Sequence, residues 1–139
     1  GSSSISVILN VKSDENNQKK GYLGHPEIGT LQPIESTALD IQNSGAGELI
    51  INSIDKEGTR TGFDIEILKN LNEKLTIPLV GLGGCGNLTH IKELLSNTPI
   101  NGIACGTFFV YGNEQQEVLL NYVNQANWLK ANYESLIKR

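Results

Sequence analysis

Methionine is absent from this sequence altogether, and cysteine occurs only twice, at Cys85 and Cys105. An initiator methionine ahead of glycine is removable, so the first absence leaves open whether Gly1 is the native start. The second excludes a disulfide framework, and the two positions are too far apart for a metal or redox pair motif. Both thiols are therefore expected to be reduced and mostly buried, as in a cytoplasmic protein. Long apolar runs are missing too: none approaches the roughly 20 residues of a membrane span. The opening GSSSISVILN lacks the basic segment of a signal peptide. Eleven Lys and Arg are scattered among 15 Asp and Glu, for a formal net charge of -4. Nucleic acid and anionic membranes are thus not expected as partners, although a small local anion site is compatible with this balance. His25 and His90 have no partner at ligand spacing, and no Ser–His or Cys–His arrangement stands out. No metal site and no cofactor are expected.

What is present is a chain of 139 residues, enough for one domain with a real core. Four β-branched apolar runs punctuate it: Ser4 to Val11, Glu48 to Ile54, Ile77 to Leu82 and Gly102 to Cys105. Short, nearly continuous runs such as ELIINSI and IPLVGL suit strands buried on both faces of a parallel sheet. Helical patterns lie between them. Pro33 to Asn43 ends in Asn-Ser-Gly, Asp64 to Lys74 opens on a capping aspartate, and Asn87 to Leu95 opens on a capping asparagine. A last helix is expected from about Gln115 to Lys138. The order is β-α repeated four times, dividing the chain at 1–46, 47–74, 75–98 and 99–139, with one long polar connection from Ser13 to Thr30. Such alternation implies parallel strands with right-handed crossovers. An α/β open sheet and half of an eightfold barrel both satisfy it.

Glycine clusters follow the strands: Glu57-Gly58 after the second, Gly83-Gly84 after the third, and Gly106-Thr107 after the fourth. A glycine turn ahead of a helix lets backbone N–H groups cradle a phosphate. Two such turns after successive strands match the phosphate position of βα barrels. Asp55, Glu57 and Asp64 flank the loop after the second strand; Asp64 reads as a helix cap, and the other two stay open as site acid or solvated loop. His90, one turn into a helix, reads as a surface residue.

The stretches GAGELIINSIDKEGTRTGFDIEILKNL, IPLVGLGGCGNLTHIKELL and GIACGTFFVY resemble the cyclase subunit of imidazole glycerol phosphate synthase. The resemblance covers essentially the whole chain but only the second half of that family's fold. It implies strands five to eight of a (βα)8 TIM barrel, and a fragment or a partner in a dimer of halves. It implies a glutaminase subunit that supplies ammonia, the N-terminal half-barrel or a second copy of this one, and a phosphorylated small-molecule ligand. By resemblance, Glu57, Gly58, Gly83, Gly84, Gly106 and Thr107 bind the substrate phosphate, and Glu48 belongs to the ammonia gate; a plain strand-end acid is the other reading of Glu48.

The departures fall on the reaction machinery. The family places a catalytic aspartate where this chain has Asn10, and an amide cannot act as a general base. Lys12 is retained. Asn52 stands in place of threonine, Glu57 in place of aspartate, and Leu82 in place of a small polar residue. GTFFVYGNEQQEVLLNY is more similar to a branch that routes ammonia to a sugar amidotransferase for surface polysaccharide. The leading expectation is accordingly an ammonia-channelling synthase subunit weakened in cyclisation. The alternatives are a histidine-pathway cyclase that tolerates Asn10 and a non-catalytic scaffold for the glutaminase.

Overall fold

The computed structural model describes residues 4–22, 24 and 30–110. His25 and the helix expected over 115–138 lie outside the described residues. The chain forms β1 (Ser6–Ser13), β2 (Lys19–Tyr22), β3 (Leu31–Gln32), α1 (Ile34–Asn43), β4 (Glu48–Ser53), α2 (Ile65–Asn72), β5 (Leu79–Leu82), α3 (Leu88–Asn97), β6 (Gly102–Ala104) and α4 (Thr107–Val110). All six strands join one sheet in the order β3-β2-β1-β4-β5-β6. The four expected strands, β1, β4, β5 and β6, are mutually parallel, as the alternation required.

The polar stretch after Ser13 departs from its expected reading as a plain connection. It carries β2 and β3, which add antiparallel to the outer side of β1. The turn is built by Asp14, whose Oδ1 accepts from the N–H groups of Asn16 (2.9 Å) and Gln18 (2.8 Å). An aspartate that bonds the backbone two residues on is a turn former, and the strands it joins cap a sheet edge otherwise open to pairing. Alternation hides these strands because only Gly21 and Tyr22 of β2 are buried.

Side-chain alternation gives the sheet two unlike faces. Leu9, Val11, Leu49, Ile51 and Leu79 point to the helices and are at most 1% exposed. They pack against Ala38 and Ile41 of α1, Ile67, Leu68 and Leu71 of α2, and Ile91 and Leu94 of α3. The other face carries Ile8, Asn10 and Lys12 from β1, Glu48, Ile50 and Asn52 from β4, and Val80 and Leu82 from β5. None of these is buried, and Ile8 is 48% exposed. A strand set with helices on one face and a partly apolar second face that no described helix covers is half of a barrel in form.

The loops at the carboxyl ends of the strands are locked to one another. Gly62 N–H donates to the Gly84 carbonyl at 2.8 Å. Gly84 has φ +89°, and a Cβ there would lie 2.1 Å from the Gly62 oxygen. Asp55 ties the same region to the hairpin, its Oδ2 accepting from both the N–H and the hydroxyl of Ser13 at 2.7 Å. Lys19 bridges Asp55 (3.3 Å) and Asp64 (3.0 Å). Asp64 does occupy the N-cap position of α2, but its side chain makes no capping hydrogen bond. The lysine holds that carboxylate away from the helix end.

Two predictions follow from these locks. Gly84→Ala needs both a left-handed backbone and displacement of the neighbouring loop, so it is expected to cost more than about 2 kcal/mol in urea melts. For Asp55, burial pushes the carboxyl up, but Ser13 and Lys19 outweigh it and the net shift is downward. A lowered acid contributes stability above its ordinary value of 3.8, and that stability is lost as pH falls through the lower folded value. Lys19 has the opposite sign. Burial pushes it down, its two aspartates win, and its contribution is lost only as pH rises through a value above 10.5. Asp55→Asn is therefore expected to flatten the acid limb of the stability curve as pH falls below the ordinary value of 3.8; an unchanged limb would exclude this carboxylate as its source.

Candidate functional site

The carboxyl ends of β4, β5 and β6 enclose a small pocket of ≈ 90 Å³. Its walls include Glu57 and Gly58 from the first loop, Gly83 and Gly84 from the second, and Gly106 and Thr107 from the third. The six residues assigned to phosphate binding by resemblance thus meet around one concavity, although 50 positions separate Glu57 from Thr107. The registers Asn52↔Leu82 and Leu82↔Ala104 bring these loops together, because parallel strands in register end at one level. Drug-sized ligands use about 300–1,000 Å³. This pocket is scaled to one compact group.

The lining residues contribute unequally. Gly58 and Gly106 are open positions, where a Cβ would meet nothing within 4 Å, but Gly58 has φ +76° and Gly106 is free of that constraint. Its missing side chain serves no packing, so it leaves space for an incoming group. Thr107 places a hydroxyl at the start of α4. Glu57 brings no donor. Its N–H is spent on the Ser53 and Ile54 carbonyls, and its carboxylate accepts from Asn52 Nδ2 at 3.5 Å. Glu57 thus faces the Asn52 amide, and the glycine loops and Thr107 make up other walls of the pocket.

Asn10 and Asn52 sit opposite each other in the β1–β4 register. Asn52 Nδ2 donates to Asn10 Oδ1 at 2.9 Å, and Asn10 Nδ2 donates to the Gly24 carbonyl at 3.0 Å. Asn52 Oδ1 is buried and finds no donor among the described residues. An unpaired buried acceptor costs about 1–3 kcal/mol, so it is a place where a ligand N–H is welcome. Lys12 lies two residues beyond Asn10 on the same face, where it is exposed. Glu48 lies at the other end of β4, accepting from the Ser6 hydroxyl at 2.8 Å. Four residues of strand separate it from Asn52, about 13 Å at 3.3 Å per residue.

Two features of the site were not apparent from residue order. His90 is half-buried instead of lying on the surface. Its Nδ1 accepts from Gly86 N–H at 3.1 Å, while Asn87 Oδ1 caps α3 by accepting from His90 N–H at 3.1 Å. The imidazole thereby braces the second glycine loop from behind. Its position three residues after a cap, with a glycine just before, was the available signal. Cys85 and Cys105 are both free thiols, and both line the pocket. They are far apart in sequence yet follow neighbouring parallel strands, which was the signal for their meeting. Among the described residues, no group of three His, Cys, Asp or Glu side chains is placed to hold a metal ion. None of the described helices is long and apolar enough to cross a membrane.

Parallel βα units with glycine turns converging on one small pocket at the strands' carboxyl ends define a protein of the (βα)8-barrel class. Comparison with known proteins narrows this: residues 1–115 match the histidine biosynthesis protein family, and the chain belongs to it. It is 29% identical over 112 residues to the imidazole glycerol phosphate synthase subunit HisF of Streptococcus mutans, covering 81% of this chain and 45% of that protein. A Bacillus cereus protein of the same name is 25% identical over 127 residues, covering 91% of this chain and 50% of its own length. A Leptospira borgpetersenii protein that carries the name provisionally is 38% identical over 125 residues, covering 89% and 49%. The chain therefore spans about half the length of these relatives, in keeping with a half-barrel.

The open space at Gly106 yields a direct test. Gly106→Ala is expected to leave stability within about 1 kcal/mol while lowering inorganic phosphate affinity at least about ten-fold, as read by calorimetry. Undiminished phosphate binding would show that the anion does not enter between these loops.

Proposed function

We propose that this chain supplies the phosphate-binding half of an ammonia-accepting cyclase barrel of the imidazole glycerol phosphate synthase type. The observation that carries the proposal is the convergence of Gly58, Gly83, Gly84, Gly106 and Thr107 on one pocket at the carboxyl ends of the parallel strands. The names of the relatives favour this reading over ammonia delivery for surface polysaccharide, which none of those names mentions. A glutaminase subunit and the other barrel half are its partners, and its ligand is a phosphorylated sugar derivative.

The residues divide the work along the sheet. Glu48 stands at the ammonia entrance, Ile8, Ile50 and Val80 form an apolar middle, and Asn52 presents an unpaired carbonyl oxygen at the far end. Ammonia, which donates N–H groups, is stabilised at that oxygen. The glycine loops hold the phosphate, fixing the substrate so that its reacting carbon faces the amides. Asn10 can orient a substrate hydroxyl but cannot take its proton. Proton transfer on this side of the site falls to Lys12 or to the other half of the barrel.

One observation favours the ammonia-delivery reading: both Asn10 and Asn52 are amides, and neither supplies acid–base chemistry. The complete barrel, given ammonia and the ribulosyl phosphate intermediate, distinguishes the two. Imidazole product is expected, and Asn10→Asp is expected to raise kcat by less than about ten-fold, because the new carboxylate would face the Gly24 carbonyl and remain bonded to Asn52. Absence of product together with stimulated glutaminase turnover would replace cyclisation by ammonia delivery. Absence of both would leave the scaffold reading.

A further inference from the structure

The site as proposed makes no use of the two thiols. Cys85 is 4% exposed and follows β5; Cys105 is half-buried and follows β6 directly. Both contribute to the walls of the pocket that also contains Gly83, Gly84, Gly106 and Thr107. Leu82 and Ala104 are register partners, so the loops bearing the two cysteines leave adjacent strands at the same level.

We propose that Cys85 and Cys105 form a reversible oxidative modification site, a dithiol that closes to a disulfide and shuts the phosphate pocket. The closing of the pocket rests on the phosphate reading above; the formation of the bond does not. The chemistry assigns each sulfur a role. The neighbouring Cys85 holds the Cys105 thiol below its ordinary value, against the opposing effect of burial. The proximity of Cys105, with burial added, pushes Cys85 up. Cys105, the more exposed sulfur and the one held low, is the nucleophile, and the nearly fully buried Cys85 is the resolving thiol. The oxidant is a hydroperoxide. The Cys105 thiolate attacks one peroxide oxygen, the O–O bond breaks, and sulfenic acid and hydroxide form. Cys85 then attacks the Cys105 sulfur, the S–OH bond breaks, and water leaves with the Cys85 proton. The two thiols lose two electrons, which the peroxide accepts. A thiol reductant reverses the change by exchange.

The effect on the pocket follows from its size. A disulfide requires Cβ atoms about 3.8 Å apart, so its formation fixes the Cys85 and Cys105 loops to each other in the wall of a cavity of only ≈ 90 Å³. Linkage requires the converse: an anion in the pocket must oppose bond formation.

The test uses the full chain, hydrogen peroxide and inorganic phosphate. Peroxide is expected to remove the mass of two hydrogens and to yield a single peptide pair joined through Cys85 and Cys105. It is expected to lower phosphate affinity at least about ten-fold, with recovery on addition of dithiothreitol. Saturating phosphate is expected to slow the bond's formation. Cys85→Ser is expected to convert the reaction to over-oxidation at Cys105, and Cys105→Ser to leave Cys85 unreactive. Addition of two oxygens to Cys105 in the unsubstituted protein, with Cys85 still open to alkylation, would overturn the dithiol assignment. A mapped disulfide with unchanged phosphate affinity would overturn the closure. Failure of the reduced protein to bind phosphate would remove the closure and the phosphate reading together, while peptide mapping would still decide the bond.

Discussion

The loops that follow β4 and β5 hold each other by contact of backbone on backbone, and the rest of the site is arranged around that contact. At Gly84 the two loops approach so closely that a single added carbon would lie 2.1 Å from the Gly62 oxygen, far inside van der Waals contact. A hydrogen bond from Gly62 N–H to the Gly84 carbonyl uses the same proximity to satisfy both backbone groups. His90 braces the second loop through Gly86, and the Ser13–Asp55–Lys19 cluster braces the first from the hairpin. Pocket walls made of backbone gain rigidity from neighbours of this kind, since glycine has no side chain with which to pack.

The sheet beneath serves two tasks by alternation. One face gives its aliphatic side chains to the helices and supplies the core. The other carries acid, apolar and amide residues in succession from the amino to the carboxyl end of the strands. That second face is too polar at its ends to be a core and too apolar in its middle to be an ordinary surface. A half-barrel reconciles these properties, because the inner face of a barrel must both pack and lead to a site. Anion recognition and proton transfer are separable in such a protein. Backbone N–H groups bind phosphate whatever side chain stands on β1, whereas acid–base catalysis needs one particular type of group there.

Asn10 illustrates how far residue order can be read. The family resemblance pointed to this position as one for acid–base chemistry, and the structure sets it on the sheet face opposite the helices. What it bonds there, Asn52 on one side and the Gly24 carbonyl on the other, depends on the register of β1 with β4 and on the path of the hairpin. The hairpin itself was hidden, because its strands have few buried residues and gain their place only by covering the edge of β1. Asp64 kept its position as a helix cap but lost the capping bond, since Lys19 arrives from a segment 45 residues away.

The sequence by itself determined the four parallel strands, the helices that cover one face of them, and the glycine turns that follow. Each of these is local, set by short-range periodicity and by glycine's backbone freedom. Tertiary structure alone decided that three glycine turns form one pocket, that a histidine read as a surface residue braces it, and that two distant cysteines share its wall. Those facts depend on which strands lie side by side and at what register, and residues that meet in this way leave no mark on their own stretches of chain.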